Sequence, residues 1–277
     1  RLMDVFRPGI AAEGAAWKPE MLDLTHDEAE PGREAFLLAA TRLINELGYR
    51  GASVQKIASE LNVTKGSFYH HLDAKDELVI ECYKRSFDIV ADAQRLAEEG
   101  PGDHWHKLIS IIATLLDVQF SERGPLLRTT ALSGLPPRVR TAMVDRSNRI
   151  ARRYAGMLSD GIAEGSIRAI DPLVASQAMM AIQNAAFDMR KWAGTMPRDK
   201  AVAFYASTIV FGLFHDRVLN FWHDPPHAGK KRTGWLRRHR TGNGAPRRSG
   251  LRKRAKRCST RRSGCSTATA ITAPRPS

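Results

Sequence analysis

The stretch SVQKIASELNVTKGSFYHHLDAKDEL, residues 53–78, decides the fold of this chain. Ser53 is placed to cap a helix whose inward positions are Val54, Ile57, Ala58 and Leu61, and the chain then turns at Asn62, Val63 and Thr64. Ala58 is small where two helices would cross closely, and Val63 supplies an apolar plug beneath the turn. Asn62 is one of the few non-glycine residues able to occupy left-handed backbone space. Thr64 caps a short helix running from about Lys65 to His71, with Phe68 and Leu72 facing inward. Two short helices joined by a tight turn, the second polar and exposed, make a shape that fits a DNA major groove. Along that second helix Lys65, Ser67, Tyr69 and His70 offer donors to phosphates and base edges, and Gly66 removes a side chain where the backbone approaches DNA.

Working outward, Phe36, Ala39, Ala40, Leu43, Ile44 and Leu47 recur at helical spacing, and Gly48 is a natural C-terminal stop. Downstream, Asp73 caps a long helix that opens with Lys75, Asp76 and Glu77 and carries Leu78, Val79, Cys82, Phe87 and Val90. Beyond the Gly100, Pro101, Gly102 break, helical patterns run from about His104 to Phe120, Pro136 to Glu164, Asp171 to Trp192 and Arg198 to Trp222. No stretch sustains a period of two, so the expected class is all-α: a three-helix DNA-binding unit followed by a second, larger helical domain. The expected divisions are a flexible extension over 1–32, the helix-turn-helix unit over 33–80, the second domain over 81–223 and a basic, disordered tail over 224–277.

The residues from Ala39 to Leu78 resemble the N-terminal domain of the TetR family of bacterial regulators. The resemblance is carried by Ala39, Ala40, Leu43, Gly48, Tyr49, Ser53, Val54, Ile57 and Ala58, then every residue from Val63 to Leu72, then Lys75, Glu77 and Leu78. Asn62 departs from the family's usual Gly and Leu72 from its usual Phe. The resemblance implies that Thr64, Lys65, Ser67, Tyr69 and His70 face DNA and that Lys75 touches backbone phosphate; Ser53 and Gly66 complete the expected DNA-binding set. It also implies a homodimer on pseudo-palindromic operator DNA, controlled by a small-molecule effector, with repression the expected outcome. The GIAEGSIR segment, Gly161 to Arg168, looks like the family's turn before its last two long helices, which commonly build a four-helix dimer seam. Here Ala178, Ile182, Ala185 and Met189 repeat at intervals of four and three, as do Val202, Ala206, Ile209 and Leu213, and these eight are the expected interface. Trp105, Asn184, Asp188 and Trp192, polar or aromatic residues on mostly apolar helices, are the candidates for lining an effector cavity.

The net charge of +14 does not bear on that body. Residues 224–277 hold 16 Lys and Arg against the single acid Asp224, +15 for the segment, so the preceding residues sum to −1. A tail of that composition buries no core and is expected to add sequence-independent attraction to DNA, which makes a non-specific architectural DNA-binding protein the alternative reading. The three cysteines, Cys82, Cys258 and Cys265, have no metal-like or redox-like spacing, and His104 and His106 lack completing ligands, so no metal or cofactor is expected. Phosphate-binding glycine loops, HExxH, GxSxG and CxxC are absent, and an enzyme is not expected. No run reaches the roughly 18 apolar residues a membrane helix needs, and no basic-then-apolar signal opens the sequence; a cytoplasmic, membrane-free protein is the expectation.

Overall fold

The computed structural model describes residues 3, 5, 7–24, 31–60 and 75–213. Its helices are α1 (Pro31–Gly51), α2 (Val54–Glu60), α3 (Lys75–Glu99), α4 (His104–Phe120), α5 (Pro137–Ala163), α6 (Pro172–Ala185), α7 (Arg190–Ala193) and α8 (Arg198–Val210), with 3-10 turns at Thr129–Gly134 and Ala186–Met189. The one β-bridge among the described residues joins Ala11 to Ile167, so the class is all-α as the sequence pattern indicates.

α4 is the axis of the core. Leu108, Ile109, Ile111, Ile112, Leu115 and Leu116 leave almost no surface to solvent because α3, α5 and α8 pack around them. α3 is shared between the two halves of the molecule. Near its start Cys82 is buried, with its thiol against the Leu37 carbonyl of α1. Further along, Gln94 donates to the Ile150 carbonyl of α5. One continuous helix therefore crosses the boundary expected at residues 80 and 81, and the described residues on both sides of it belong to one compact unit.

Local rules explain most helix ends. Asp103 accepts from the His106 amide to start α4, and Asp171 accepts from Leu173 and Val174 to start α6. Gly48 has φ 72, the left-handed geometry expected of a stop, but the chain resumes helical form for a further turn to Gly51 instead of ending there. The pattern expected to run unbroken from Asp171 to Trp192 leaves α-geometry after Ala185 and passes through a 3-10 turn. The last described helix stops at Val210, with Gly212 at φ 89 just beyond it, and residues 214–222 of the pattern expected to reach Trp222 lie outside the described residues.

The amino-terminal segment, expected as a flexible extension, is a packed strap. Ile10 and Ala11 donate their amides to the Val210 carbonyl, Arg168 donates to the carbonyls of Gly9 and Ile10, and Trp105 donates its indole N–H to Ala16. Glu20 and Leu22 donate to the hydroxyls of Ser110 and Thr114 on α4, while Val5, Ile10 and Leu24 are buried. Its prolines and glycines interrupt regular structure but do not prevent packing. At Gly9, φ is +73 and an added Cβ would lie 2.5 Å from the backbone of Val210 to Gly212, so only glycine permits this approach.

Glu164 ties the far end of α5 to the start of α4, accepting from the His104 amide at 2.6 Å, facing the His104 ring at 2.8 Å and accepting from the Ser166 hydroxyl. These bonds hold its carboxyl down to about 2. The depressed value means that the contribution to stability is present above the usual 4.5 and is lost as pH falls toward about 2. Glu164→Gln should lower stability by about 1 kcal/mol or less at neutral pH, as expected for an exposed cap. Urea melts at decreasing pH should show wild type converging on the variant; a constant gap would show that ionisation contributes nothing.

Candidate DNA interface and ligand cavity

Residues 61–74, and with them Thr64, Lys65, Gly66, Ser67, Tyr69 and His70, lie outside the described residues, so the structure describes the frame on either side of them. Ile57 and Ala58 anchor α2 inward, and the Ser53 hydroxyl accepts from the Lys56 amide at 3.2 Å, the capping role its position indicates. Lys75 opens α3 with its ammonium 4.5 Å from the centre of the Tyr49 ring. Burial pushes that ammonium down, and the charge of Asp76 opposes the shift. The Tyr49 hydroxyl donates to the Asp76 carboxylate, and burial, reinforced by Asp76, raises the phenol to about 12. Tyr49, Lys75 and Asp76 thus join the end of α1 to the start of α3. Two ion pairs, Arg33 with Glu81 and Arg85 with Glu34, extend the same seam.

Sequence reasoning did not select Lys56 or Arg50, both exposed beside Ser53. Lys56 follows the capping serine by three residues, a spacing that places both on one helical face, and this was a legible signal.

The candidates for the second domain separate on inspection. Trp105 is a core residue, its ring packed against Phe211 and its N–H bound to Ala16. Asp188 is largely exposed and pairs with Arg128, while Trp192 packs on Phe204. Asn184 does line a cavity, together with Phe87, Val90, Leu127, Ile150 and Met180. The cavity offers about 40 Å³, little more than a water molecule occupies. Gln119, Gln183 and Ser86, which sequence reasoning missed, also reach it. A polar residue on an apolar stripe was their only signal.

The residues expected at a dimer seam also divide. Val202, Ala206 and Ile209 are buried within their own subunit, with Ile209 facing Ile112 and Leu116 of α4, and Ala178 is buried as well. They are core and must be taken out of the seam: helical spacing identifies an apolar stripe but not what covers it. Ile182 and Met189 are half-buried, and Ala185 and Leu213 are exposed. Gln177 and Ala181 continue the open face of α6.

Among the described residues no group of three His, Cys, Asp or Glu could hold a metal, and no helix is long and apolar enough to cross a membrane. Comparison with known proteins agrees with the architecture. Residues 36–82 match the family described as bacterial regulatory proteins, tetR family. The chain is 34% identical over 84 residues to the transposon Tn10 TetC protein of Escherichia coli, covering 30% of this chain and 42% of that one. It is 25% identical over 148 residues to the HTH-type transcriptional regulator UidR of Escherichia coli K12, covering 53% and 74%. A TetR-family transcriptional regulator from Bordetella parapertussis 12822 has the same fold, with a TM-score of 0.55 at 18% identity over 66% of this chain and 96% of that one. Residues 36–82, with the α1–α2–α3 frame, thus match the tetR family of bacterial regulatory proteins, and the helical body behind them has the fold of a TetR-family transcriptional regulator.

Proposed function

We propose that the protein is a dimeric repressor that binds an inverted-repeat operator and is released by a small-molecule effector. The observation that carries the reading is the match over residues 36–82, with Ser53 capping α2 and the Tyr49, Lys75 and Asp76 seam bracketing the segment that bears Lys65, Ser67, Tyr69 and His70. In this reading residues of about 33–80 engage DNA and about 81–223 hold the effector site and the dimer seam. The open face of α6, with Ala181, Ile182 and Ala185, forms that seam with its symmetry mate, joined by Met189 of the following turn and by Leu213. Each recognition helix enters a major groove, and the two must sit about 34–36 Å apart or a multiple of it. An effector that changes this spacing would weaken operator binding by about 5- to 150-fold. Lys56 and Lys75 contact phosphate.

Selection of bound duplexes from a random library tests the reading. An enriched inverted repeat is expected, and enrichment of no motif would favour the architectural alternative. On the selected duplex, Lys65→Ala should weaken binding to all sequences alike and reduce the salt slope by about one unit, because one released counterion is lost. Ser67→Ala should relax preference at a single base position, whereas a uniform loss across duplex variants would make Ser67 a backbone contact.

A further inference from the structure

The cavity beside Asn184 and the first DNA-binding helix grip opposite faces of one short segment. On the cavity side, Gln119 accepts from the Leu126 amide at 3.1 Å, Ser86 from Leu127 at 2.8 Å and Asn184 from Thr129 at 2.9 Å. On the other side, Asn45 of α1 donates to the Leu126 carbonyl and accepts from the Arg128 amide, both at 2.9 Å. Arg42 of α1 donates to the carbonyls of Glu122 and Gly124. Tyr83 of α3 donates to the Arg128 carbonyl. The segment from Glu122 to Thr129 is a ribbon with one edge on the cavity and the other on the DNA-binding unit.

The lining of that cavity contains no Asp, Glu, Lys, Arg or His. The guanidinium of Arg128, the nearest cation in sequence, is engaged by the Asp188 carboxylate at 3.0 Å and lies over the Phe187 ring. An anion placed among Phe87, Val90, Ile150 and Met180 would lose hydration and gain no uncommitted counter-charge, since Arg146, which lies over the Phe87 ring, is likewise paired, with Asp88; this is strongly unfavourable. A neutral molecule meets apolar walls and amide groups able to donate or accept. Its volume also matters, since about 40 Å³ is far below the roughly 300 Å³ or more of ordinary ligand sites. Something must move, and the ribbon is the part held by side-chain hydrogen bonds rather than by helical ones.

We propose that this cavity binds an uncharged, mostly apolar molecule bearing an amide-like group, whose N–H donors replace the Leu126 and Thr129 amides on the side-chain oxygens of Gln119 and Asn184, which displaces Leu126–Thr129 and so undoes the Asn45 clasp on α1. The proposal rests on the ligand-controlled reading above and identifies the class of effector and the route by which it reaches the DNA-binding unit. Reciprocity gives it a second signature: if the clasp opposes binding, removing the clasp must tighten binding.

The test uses the full chain with octanamide and octanoate, equal in length and differing in charge, measured by calorimetry without DNA and then for their effect on the selected duplex. Octanamide should bind, octanoate should bind at least about tenfold more weakly, and octanamide should weaken duplex binding. Asn45→Ala should bind octanamide more tightly than wild type and lose most of the effect of octanamide on the duplex. Met180→Trp, which fills the cavity, should abolish octanamide binding; Val90→Phe serves the same purpose should the tryptophan prevent folding. The proposal is overturned if octanamide does not bind, if octanoate binds equally well, if the filling variants leave binding intact, or if Asn45→Ala leaves the coupling unchanged. Octanoate binding that disappears in Arg128→Met would assign the site to anions instead. The DNA-free measurements decide the cavity even if duplex selection fails, so failure of the operator reading remains separate.

Discussion

Ile209→Asp should leave little folded protein at all, rather than a folded monomer. Ile209 is 2% exposed and faces Ile112 and Leu116 across the centre of the helical body. Removing a buried aliphatic side chain of this size costs about 2 to 5 kcal/mol. Leaving an unpaired carboxylate in its place adds a penalty of several kcal/mol more. The sum rivals the roughly 5 to 15 kcal/mol that holds an entire domain together. Circular dichroism and soluble yield measure the outcome. A variant that melts within a few degrees of wild type and sediments as a monomer would return Ile209 to the subunit interface.

Ala185→Glu should do what Ile209→Asp cannot, separating assembly from folding. Ala185 is exposed on the open face of α6, so the substitution should leave helicity and melting temperature near wild type. In the proposed seam it brings two symmetry-related carboxylates together without partners, and sedimentation should show monomers. A monomer reaches one half-site, so affinity for the selected duplex should fall by about 1,000-fold or more, toward non-specific binding. An intact dimer in this variant would place the interface away from α6.

Between them the two substitutions mark the limit of periodicity as a guide. Ile209 and Ala185 sit on equally regular repeats, yet Ile209 is closed over by α4 and Ala185 lies open. An apolar spacing of three and four specifies that a face must be covered, but whether a neighbour in the same chain or another subunit covers it depends on helices far away in sequence.

What the sequence by itself determined was local. The Ser53 cap, the inward Ile57 and Ala58, the positive φ of Gly48 and the extent of His104–Phe120 follow from bonds and sterics within a turn or two. The family resemblance over the helix-turn-helix was legible for the same reason, because turn chemistry there demands particular residues at particular spacings. Only the tertiary structure decided that the amino-terminal strap packs through its own backbone amides and carbonyls, against the Val210 carbonyl of α8 and the Ser110 and Thr114 hydroxyls of α4, contacts that leave almost no trace in the strap's side-chain pattern. It likewise decided the roles of Asn45 and Gln119, which meet the 122–129 ribbon from opposite sides across about 80 and 7 residues of chain. A buried amide side chain reads in sequence as one polar residue on an apolar helix, and its partner is set by how the helices pack.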